Sequence, residues 1–189
     1  MAKLYQQGLV SIITPVFNAG RYLEQTILSV LKQSYENWEL LLIDDCSSDN
    51  SGSIIRKYAE NDQRIIHHRL DRNCGAAVAR NTAISLANGE YLAFMDSDDL
   101  WMTDKLKSQL YFMKEKECTF SFTRINIIDS DNQVQKSHVP IPLKVNYDYL
   151  LKKTVIATST VLINRNNLPN FSMPLRRGGQ DYATWLLLL

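Results

Sequence analysis

The stretch Glu90-Tyr91-Leu92-Ala93-Phe94-Met95-Asp96-Ser97-Asp98-Asp99 places three carboxylates directly after an apolar run. The run from Tyr91 to Met95 predicts a buried strand of the kind found inside parallel sheets. The acids then fall at the carboxyl end of that strand, where open α/β sheets bind their ligands. Three carboxylates so close together repel one another, and a divalent cation bound through oxygen would offset their charge. The alternative is that they cap the next helix and face water.

Three earlier strands alternate with helices upstream of this stretch. The predicted strands cover residues 9–14, 38–43 and 64–68, and the predicted helices cover 21–33, a segment marked by Ile54, Ile55 and Tyr58, and 76–87. Pro15 has no N–H to donate, so we expect the first strand to close there. This alternation predicts right-handed crossovers and an α/β fold, with a mostly parallel sheet and helices on both faces.

The pattern changes downstream of residue 100. Thr103 is expected to cap a helix over 104–116, and 147–152 predicts a short helix. Strands are predicted over 119–128 and 133–139, around a turn at 129–132, and again over 155–163. Residues 164–179 are expected to form a loop. The segment 181–189 predicts a helix that stops with no Gly, Pro or cationic last turn, so we expect a truncated chain, with a short natural apolar tail as the alternative.

Composition excludes several classes of protein. The chain has 189 residues, which is enough for one domain, and its net charge of +1 gives no overall attraction to nucleic acid. No apolar run approaches the roughly 20 residues that span a bilayer, and residues 1–8 lack the apolar core of a signal peptide. Cys46, Cys74 and Cys118 fit neither a disulfide framework nor a zinc site. We expect a single cytoplasmic domain over residues 1–189 with reduced thiols.

Polar side chains follow three of the predicted strands. Thr14 ends the first, Asp44 and Asp45 follow the second, and the acids at 96–99 follow the fourth. Because the carboxyl ends of parallel strands meet at one edge, we expect these groups to form one site. No glycine loop for phosphates is present, so a metal held by the later acids would do that work. The carboxylate of Asp45 could accept the imide N–H of a base, since helix capping fits Asp49 better.

Four segments carry a resemblance to a known family. Residues 10–18 (VSIITPVFN), 43–49 (IDDCSSD), 73–81 (NCGAAVARN) and 96–99 (DSDD) resemble the successive motifs of family 2 glycosyltransferases of GT-A fold. Their order and spacing match, and the resemblance covers essentially the whole chain. It implies an inverting transfer of a sugar from a nucleotide-diphosphate donor, most often UDP-linked, with Mg²⁺ or Mn²⁺ on the diphosphate.

The resemblance also implies roles for individual residues. It assigns the nucleotide-binding side of the site to Thr14, Pro15, Val16, Asp45, Gly75, Arg80, Asp96 and Ser97. Within that set, Asp45 would bind the base, and Asp96 would serve the ribose and the metal. Asp98 is the better metal ligand of the two, and Asp99 would orient its neighbours.

The proposed catalytic base lies near the end of the chain. The family's base usually sits in an acidic pair before a Trp-containing helix, and residues 179–185 (GQDYATW) occupy the matching place. Gln180 replaces the usual Glu, whereas Asp181 keeps the carboxylate that can take the proton of an acceptor hydroxyl. The alternative role for Asp181 is to cap the last helix. The exchange at Gln180 leaves the acceptor-side contacts open.

The resemblance also implies a cellular setting, and two alternative functions stay open. The acceptor would be a hydroxyl of a glycan or of a lipid-linked glycan in surface-polysaccharide assembly. The enzyme would work in the cytoplasm at the inner face of the membrane, with peripheral membrane contact and no nucleic-acid partner. The alternatives are a nucleotide-sugar binding module without catalysis and a sugar-phosphate nucleotidyltransferase. The nucleotidyltransferase is the weaker rival, because its glycine loop after the first strand is absent.

Overall fold

The computed structural model describes residues 4–136, 140–166, 168, 171–176 and 178–189. The strands are β1 (Gln6–Val16), β2 (Trp38–Asp44), β3 (Ile65–Arg69), β4 (Gly89–Phe94), β5 (Phe120–Ser121), β6 (Ile127–Ile128), β7 (Val134–Lys136) and β8 (Leu162–Asn164). The helices are α1 (Leu23–Leu31), α2 (Ser51–Asn61), α3 (Ala76–Leu86), α4 (Lys105–Glu115), α5 (Tyr147–Lys152) and α6 (Gln180–Leu188), together with a short 3₁₀ helix, Thr158–Thr160.

Six of these strands form one sheet in the order β3-β2-β1-β4-β8-β5. The pairs among β1, β2, β3 and β4 are parallel, whereas β8 runs antiparallel to both β4 and β5. The strands β6 and β7 form a separate hairpin. The predicted fold class, an α/β fold with a mostly parallel sheet, is therefore confirmed.

Helices cover both faces of the sheet, as predicted. The side chain of Ile12 packs on one face with Leu23 of α1, Ile55 of α2 and Leu106 of α4. Its neighbour Ile13 packs on the other face with residues of α3, α5 and α6. Successive strand residues point to opposite faces, and each fully buried apolar side chain contributes about 1.5–3 kcal/mol to folding. The continuous apolar sequences of β1 and β2 follow from this two-sided burial.

The first strand does not close at Pro15. It continues to Val16, which still pairs with Asp44 of β2. At position 15 of β1, a backbone N–H would point toward β4. The pairing of β1 with β4 ends before this position, at Ile13 and Phe94. Because no ladder bond is required there, Pro15 is tolerated in a central strand, and the expectation that it terminates β1 is wrong.

The strand predictions in the second half are only partly right. Residues 119–128 form two short strands, β5 and β6, and not one continuous strand. Within residues 155–163, only Leu162 and Ile163 belong to a strand, β8, and the 3₁₀ helix precedes it. The Thr160 hydroxyl there donates to the Ala157 carbonyl at 2.6 Å, a local bond that competes with strand pairing. The turn between β6 and β7 is confirmed, and residues 137–139 lie outside the described residues.

The remaining expectations concern helix ends and membrane spans. Asp104, and not Thr103, occupies the N-cap position of α4. None of the helices within the described ranges has the length and apolar character of a membrane span.

Candidate active site

A cleft of about 230 Å³ opens at the carboxyl ends of β1, β2 and β4, beside the first turns of α3. It is lined by Pro15, Val16, Phe17, Asp45, Ala76, Arg80, Asp96, Ser97 and Asp98. All but Phe17 and Ala76 belong to the residues predicted from the sequence to bind the nucleotide or the metal. The convergence of three strand ends on one site is thus present in the structure.

Asp45 connects the end of β2 to the start of α3. Its carboxylate is buried and accepts the backbone N–H groups of Cys74 and Gly75, each at 2.7 Å. Gly75 has a φ of 89°, which favours glycine, and it immediately precedes α3. Each carboxylate oxygen has two lone pairs, so Asp45 also retains acceptor capacity for an N–H of a ligand in the cleft.

Asp44 and Asp45 have different surroundings although they are neighbours. Asp44 is fully buried and forms an ion pair with Arg69, with 2.6 Å between Oδ2 and Nη1. Its other oxygen accepts the N–H of Ser47 at 2.8 Å. Asp44 therefore stabilises the loop after β2, and Asp45 is the member of the pair that faces the cleft.

The loops after β1 and β2 are hydrogen-bonded to each other. The Asn18 side chain accepts the N–H of Ser48 at 2.9 Å, and the N–H of Gly20 is donated to Asp49 Oδ2 at 2.9 Å. A Cβ on Gly20 would lie 1.7 Å from the Asn50 side-chain oxygen, so a larger residue there would displace the Asn50 side chain. Asp49 also accepts the N–H of Ser51 at the start of α2, but Asn50 occupies the N-cap position of that helix and no side chain caps it.

Arg80 and Asp96 form an ion pair inside the cleft. Arg80 Nη2 lies 2.5 Å from Asp96 Oδ1, and the Arg80 side chain is only 7% exposed. Among the described residues, its buried Nε has no hydrogen-bond partner. The charge of Asp96 is thus already balanced by a buried guanidinium, which leaves the cleft wall less acidic than the sequence alone indicates.

Asp98 and Asp99 differ from Asp96 and from each other. Asp98 is exposed at the cleft, and its carboxylate has no partner within the part of the chain that the structure describes. Asp99 is an exposed residue overall, but its carboxyl group turns inward and accepts the hydroxyl of Ser159 at 2.5 Å. Burial of that group raises the pKa of Asp99, and the nearby charges of Asp96 and Asp98 raise it further, whereas the Ser159 bond lowers it.

The carboxylates at the cleft fit a divalent ion only in part. Over the described residues, no group of three or more His, Cys, Asp or Glu side chains is arranged to hold a metal. Mg²⁺ typically takes one or two carboxylates and completes its shell with phosphate oxygens and water. The free carboxylate of Asp98, with Asp96 beside it, suits an ion of that kind, which would arrive with a diphosphate.

Asp181 lies in the first turn of α6. Its Oδ2 accepts the hydroxyl of Thr158 at 2.6 Å. Gly179 is the N-cap of α6 and no side chain caps the helix, so the alternative role of Asp181 as a cap has no support. Asp181 does not line the cleft itself. It is connected to the cleft because Thr158 precedes Ser159, whose hydroxyl accepts the backbone N–H of Asp96.

Two predicted nucleotide-binding residues lie outside the cleft lining. The Thr14 side chain is fully buried, and its hydroxyl has no partner among the described residues. It alternates with Ile13 along β1 and therefore points away from the α3 side, where Arg80 lies. Gly75 reaches the site only through its bond to Asp45.

Several residues near the site are not among the predicted site residues. Phe17 lines the cleft and adjoins Val16 in the chain, which is the sequence signal for it, and Ala76 lies within the stretch 75–80 that the family resemblance places near the base and ribose. Thr158 and Ser159 fall in a predicted strand, because β-branched and apolar neighbours surround them. The cysteines are free, as expected.

A mostly parallel sheet with carboxylates at its strand ends and a cleft beside them is typical of α/β proteins that bind a ligand at that edge of the sheet. The sequence profile of the family described as "Glycosyl transferase family 2" matches residues 11–168. The chain belongs to this glycosyltransferase family.

Curated relatives match nearly the whole chain. TuaG of Bacillus subtilis (strain 168), whose name assigns it to teichuronic acid biosynthesis, is 46% identical over 96% of this chain and 72% of its own length. WfgD of Escherichia coli, named as a UDP-Glc:alpha-D-GlcNAc-diphosphoundecaprenol beta-1,3-glucosyltransferase, is 39% identical over 96% of this chain and 70% of its own.

Solved structures share the fold. TarS 1-349 of S. aureus in complex with UDP superposes with a TM-score of 0.74 at 23% identity, over 92% of this chain. The mannosyltransferase PcManGT of Pyrobaculum calidifontis, in complex with GDP-Man and Mn²⁺, gives a TM-score of 0.69 at 21% identity, over 94% of this chain. The chain spans about half the length of these two structures, 52% and 51%. At these identities the likeness concerns the fold, which is the GT-A fold predicted from the sequence.

Proposed function

We propose that residues 1–189 form one GT-A domain that transfers a sugar, with inversion, from a UDP-sugar to a hydroxyl of a lipid-linked glycan. The observation that carries the proposal is the cleft in which Asp45, Arg80, Asp96 and Asp98 meet at three strand ends. The name of the E. coli relative supports both the UDP donor and the diphosphoundecaprenol-linked acceptor. Such an acceptor would bring the enzyme to the cytoplasmic face of the membrane.

The nucleoside would lie between the β1 loop and α3. Asp45 Oδ atoms would accept the imide N–H of uracil, and Pro15, Val16 and the exposed Phe17 offer apolar surface to the base. The buried Arg80 would keep Asp96 oriented for the ribose hydroxyls, since the ion pair fixes one oxygen and leaves the other. The diphosphate would then extend toward Asp98.

The phosphate end of the donor would carry the divalent metal. Asp98, with Asp96 beside it, would hold Mg²⁺ or Mn²⁺, which when bound neutralises the charge that develops on the leaving diphosphate. No other group in the described part of the cleft lining except Arg80 carries positive charge. We therefore expect transfer to require the metal.

Asp181 would act as the general base. The acceptor oxygen attacks the anomeric carbon from the face opposite the diphosphate, a new C–O bond forms, and the bond from the anomeric carbon to the phosphate oxygen breaks with its electron pair leaving on UDP. The acceptor proton moves to Asp181. Because Thr158 occupies Oδ2, we assign proton transfer to Oδ1.

The test is an incubation of the chain with UDP-glucose, Mn²⁺ and a GlcNAc-diphosphate-lipid acceptor. We expect acceptor-dependent release of UDP and a glycosylated lipid, detected by mass spectrometry. In a parallel incubation with added pyrophosphate, conversion of UDP-glucose to UTP and glucose 1-phosphate would instead identify a nucleotidyltransferase. Tight UDP binding without turnover would identify a binding module, and either outcome contradicts the proposal.

A further inference from the structure

The 3₁₀ helix Thr158–Thr160 stands between the proposed base and the acids of the cleft. All three of its residues are buried. The Thr158 hydroxyl donates to Asp181 Oδ2 at 2.6 Å. The Ser159 hydroxyl accepts the backbone N–H of Asp96 at 2.9 Å and donates to Asp99 Oδ2 at 2.5 Å. Adjacent hydroxyls of one rigid segment therefore contact opposite sides of the site.

We infer that Thr158 and Ser159 are a pair of positioning residues, Thr158 for the base and Ser159 for the donor-binding acids. The inference rests on the proposed function, because it assumes that Asp181 is the base. It extends that function by assigning two residues that do not touch either substrate but set the distance between the two reacting sides.

Thr158 would act by fixing the rotation of the Asp181 carboxylate. A hydroxyl that donates to one oxygen holds the plane of the group, so the other oxygen keeps one direction toward the acceptor. Asp181 lies in the first turn of α6, and no other side-chain bond to its carboxylate is seen within the described residues. Loss of the hydroxyl would leave the base present but poorly aligned, and such misplacement reduces the rate of the chemical step.

Ser159 would act on the loop that carries the acids. Its hydroxyl holds both the backbone of Asp96 and the side chain of Asp99, while its own carbonyl accepts Trp101 Nε1 at 2.8 Å. From the opposite side, the Thr26 hydroxyl lies 3.0 Å from the carbonyl oxygens of Ser97 and Asp99. The loop is thus clamped between α1 and the 3₁₀ helix. Without the Ser159 hydroxyl, the carboxylates that receive the diphosphate and metal would lose their fixed spacing.

The experiment compares single hydroxyl deletions in the full chain. Thr158→Ala and Thr158→Ser both lose the methyl group and differ only in the hydroxyl, and Ser159→Ala deletes the neighbouring hydroxyl. Thr160→Val is the matched control, because the Thr160 hydroxyl contacts only the Ala157 carbonyl among the described residues. For each variant, kcat and KM of transfer are measured, together with the Kd for UDP with and without Mn²⁺.

We expect substitutions at Thr158 and Ser159 to affect different kinetic quantities. Thr158→Ala should lower kcat by about 10-fold and leave the UDP Kd unchanged, as for the loss of one hydrogen bond to a charged group. Thr158→Ser should restore most of the lost rate. Ser159→Ala should raise the UDP Kd in Mn²⁺ by about 10-fold, again the value of one such bond. Thr160→Val should match the wild type in both measurements.

Asp181→Asn separates failure of this inference from failure of the proposed function. If Asp181→Asn keeps full transfer, the base assignment is wrong and the Thr158 role falls with it. If Asp181→Asn is inactive while Thr158→Ala and Ser159→Ala both behave like the wild type, the positioning inference is overturned and the proposed function stands. If both hydroxyl deletions lower kcat and UDP affinity alike, with a matching fall in melting temperature, the segment has only a structural role and the inference is likewise overturned.

Discussion

The two sides of the cleft are held together by different kinds of bond. We call residues 6–99 the donor side and residues 100–189 the acceptor side. On the donor side, Asp44 and Asp96 are paired with Arg69 and Arg80 at 2.6 and 2.5 Å. On the acceptor side, the carboxylate of Asp181 is held by the hydroxyl of Thr158, and no ion pair is seen among the described residues.

This difference has a physical consequence for each side. Removing one member of a buried ion pair leaves a charge without compensation, which is expensive. Removing a hydroxyl that bonds a carboxylate costs less, and partial solvation can replace it. We therefore expect substitutions on the donor side to cost more folding stability than the loss of a hydroxyl contact on the acceptor side.

The sharpest test of the acceptor side is Asp181→Asn. The amide cannot take the acceptor proton, so transfer should fall by about 10²–10⁴-fold. UDP binding, measured by calorimetry with Mn²⁺, should be unchanged because Asp181 does not line the cleft. Asp148→Asn in α5 changes a carboxylate in the first turn of another helix and serves as the control. Persisting transfer would place the base elsewhere.

The matching test of the donor side is Asp44→Asn, which should affect stability. Asp44 is fully buried, but Arg69 is 44% exposed and can be solvated when the charge of its partner is lost. We therefore expect the free energy of unfolding to fall by about 2 kcal/mol, which is less than the roughly 3–5 kcal/mol lost when a fully buried ion pair is broken. Urea unfolding measures it, with Asp62→Asn at a more exposed ion pair as the control. Equal losses in the two variants would show that burial of Asp44 adds nothing to the strength of its ion pair, which would contradict the argument for the donor side.

Asp98→Ala tests whether the donor side depends on the metal at one carboxylate. We expect the UDP Kd to rise about 10-fold, which is ~1.4 kcal/mol, when Mn²⁺ is present. Without metal the variant should bind UDP like the wild type or slightly better, since a negative charge near the diphosphate has been removed. Asp131→Ala removes an exposed carboxylate in the β6–β7 turn and should change neither value. If Mn²⁺ changes the UDP Kd of Asp98→Ala as much as that of the wild type, Asp98 does not bind the metal.

The contrast also explains which parts of the site the sequence could predict. On the donor side, Asp45 follows β2 by one residue and Asp96 follows β4 by two, so the pattern of buried strands locates both. The Arg80–Asp96 pair spans only 16 residues. On the acceptor side, Ser159 contacts Asp99 across 60 residues, and no local pattern encodes such a contact.

The strand predicted over 155–163 is only partly present, because its β-branched residues favour a strand while their hydroxyls bond locally or across the site. The role of Thr14 in the nucleoside pocket stays a prediction. Its side chain is buried on the face of β1 that also carries Val16 and packs against Leu23 of α1, and no sequence pattern shows which groups it meets there.

Lys105 allows a finer test, because it lies behind the acceptor side. Its Nζ is buried without a hydrogen-bond partner among the described residues, 3.8 Å from the centre of the Trp101 ring. Burial lowers the pKa of Lys105 from 10.5 to about 7. The ring attracts the charged form and opposes this shift, which reduces the penalty on the buried amine.

The sign of the pH effect follows from proton binding. Between pH 7 and pH 10.5 the unfolded chain binds a proton at Lys105 and the folded chain does not, so this residue makes stability rise with pH across that window. Lys105→Met removes the dependence, and its advantage over wild type in the free energy of unfolding should be largest at pH 7 and decline toward pH 10. Urea unfolding at pH 7, 8.5 and 10 measures the difference, with the exposed Lys107→Met as the control. A difference that is constant across the three pH values would show that the Lys105 amine stays charged in the folded chain.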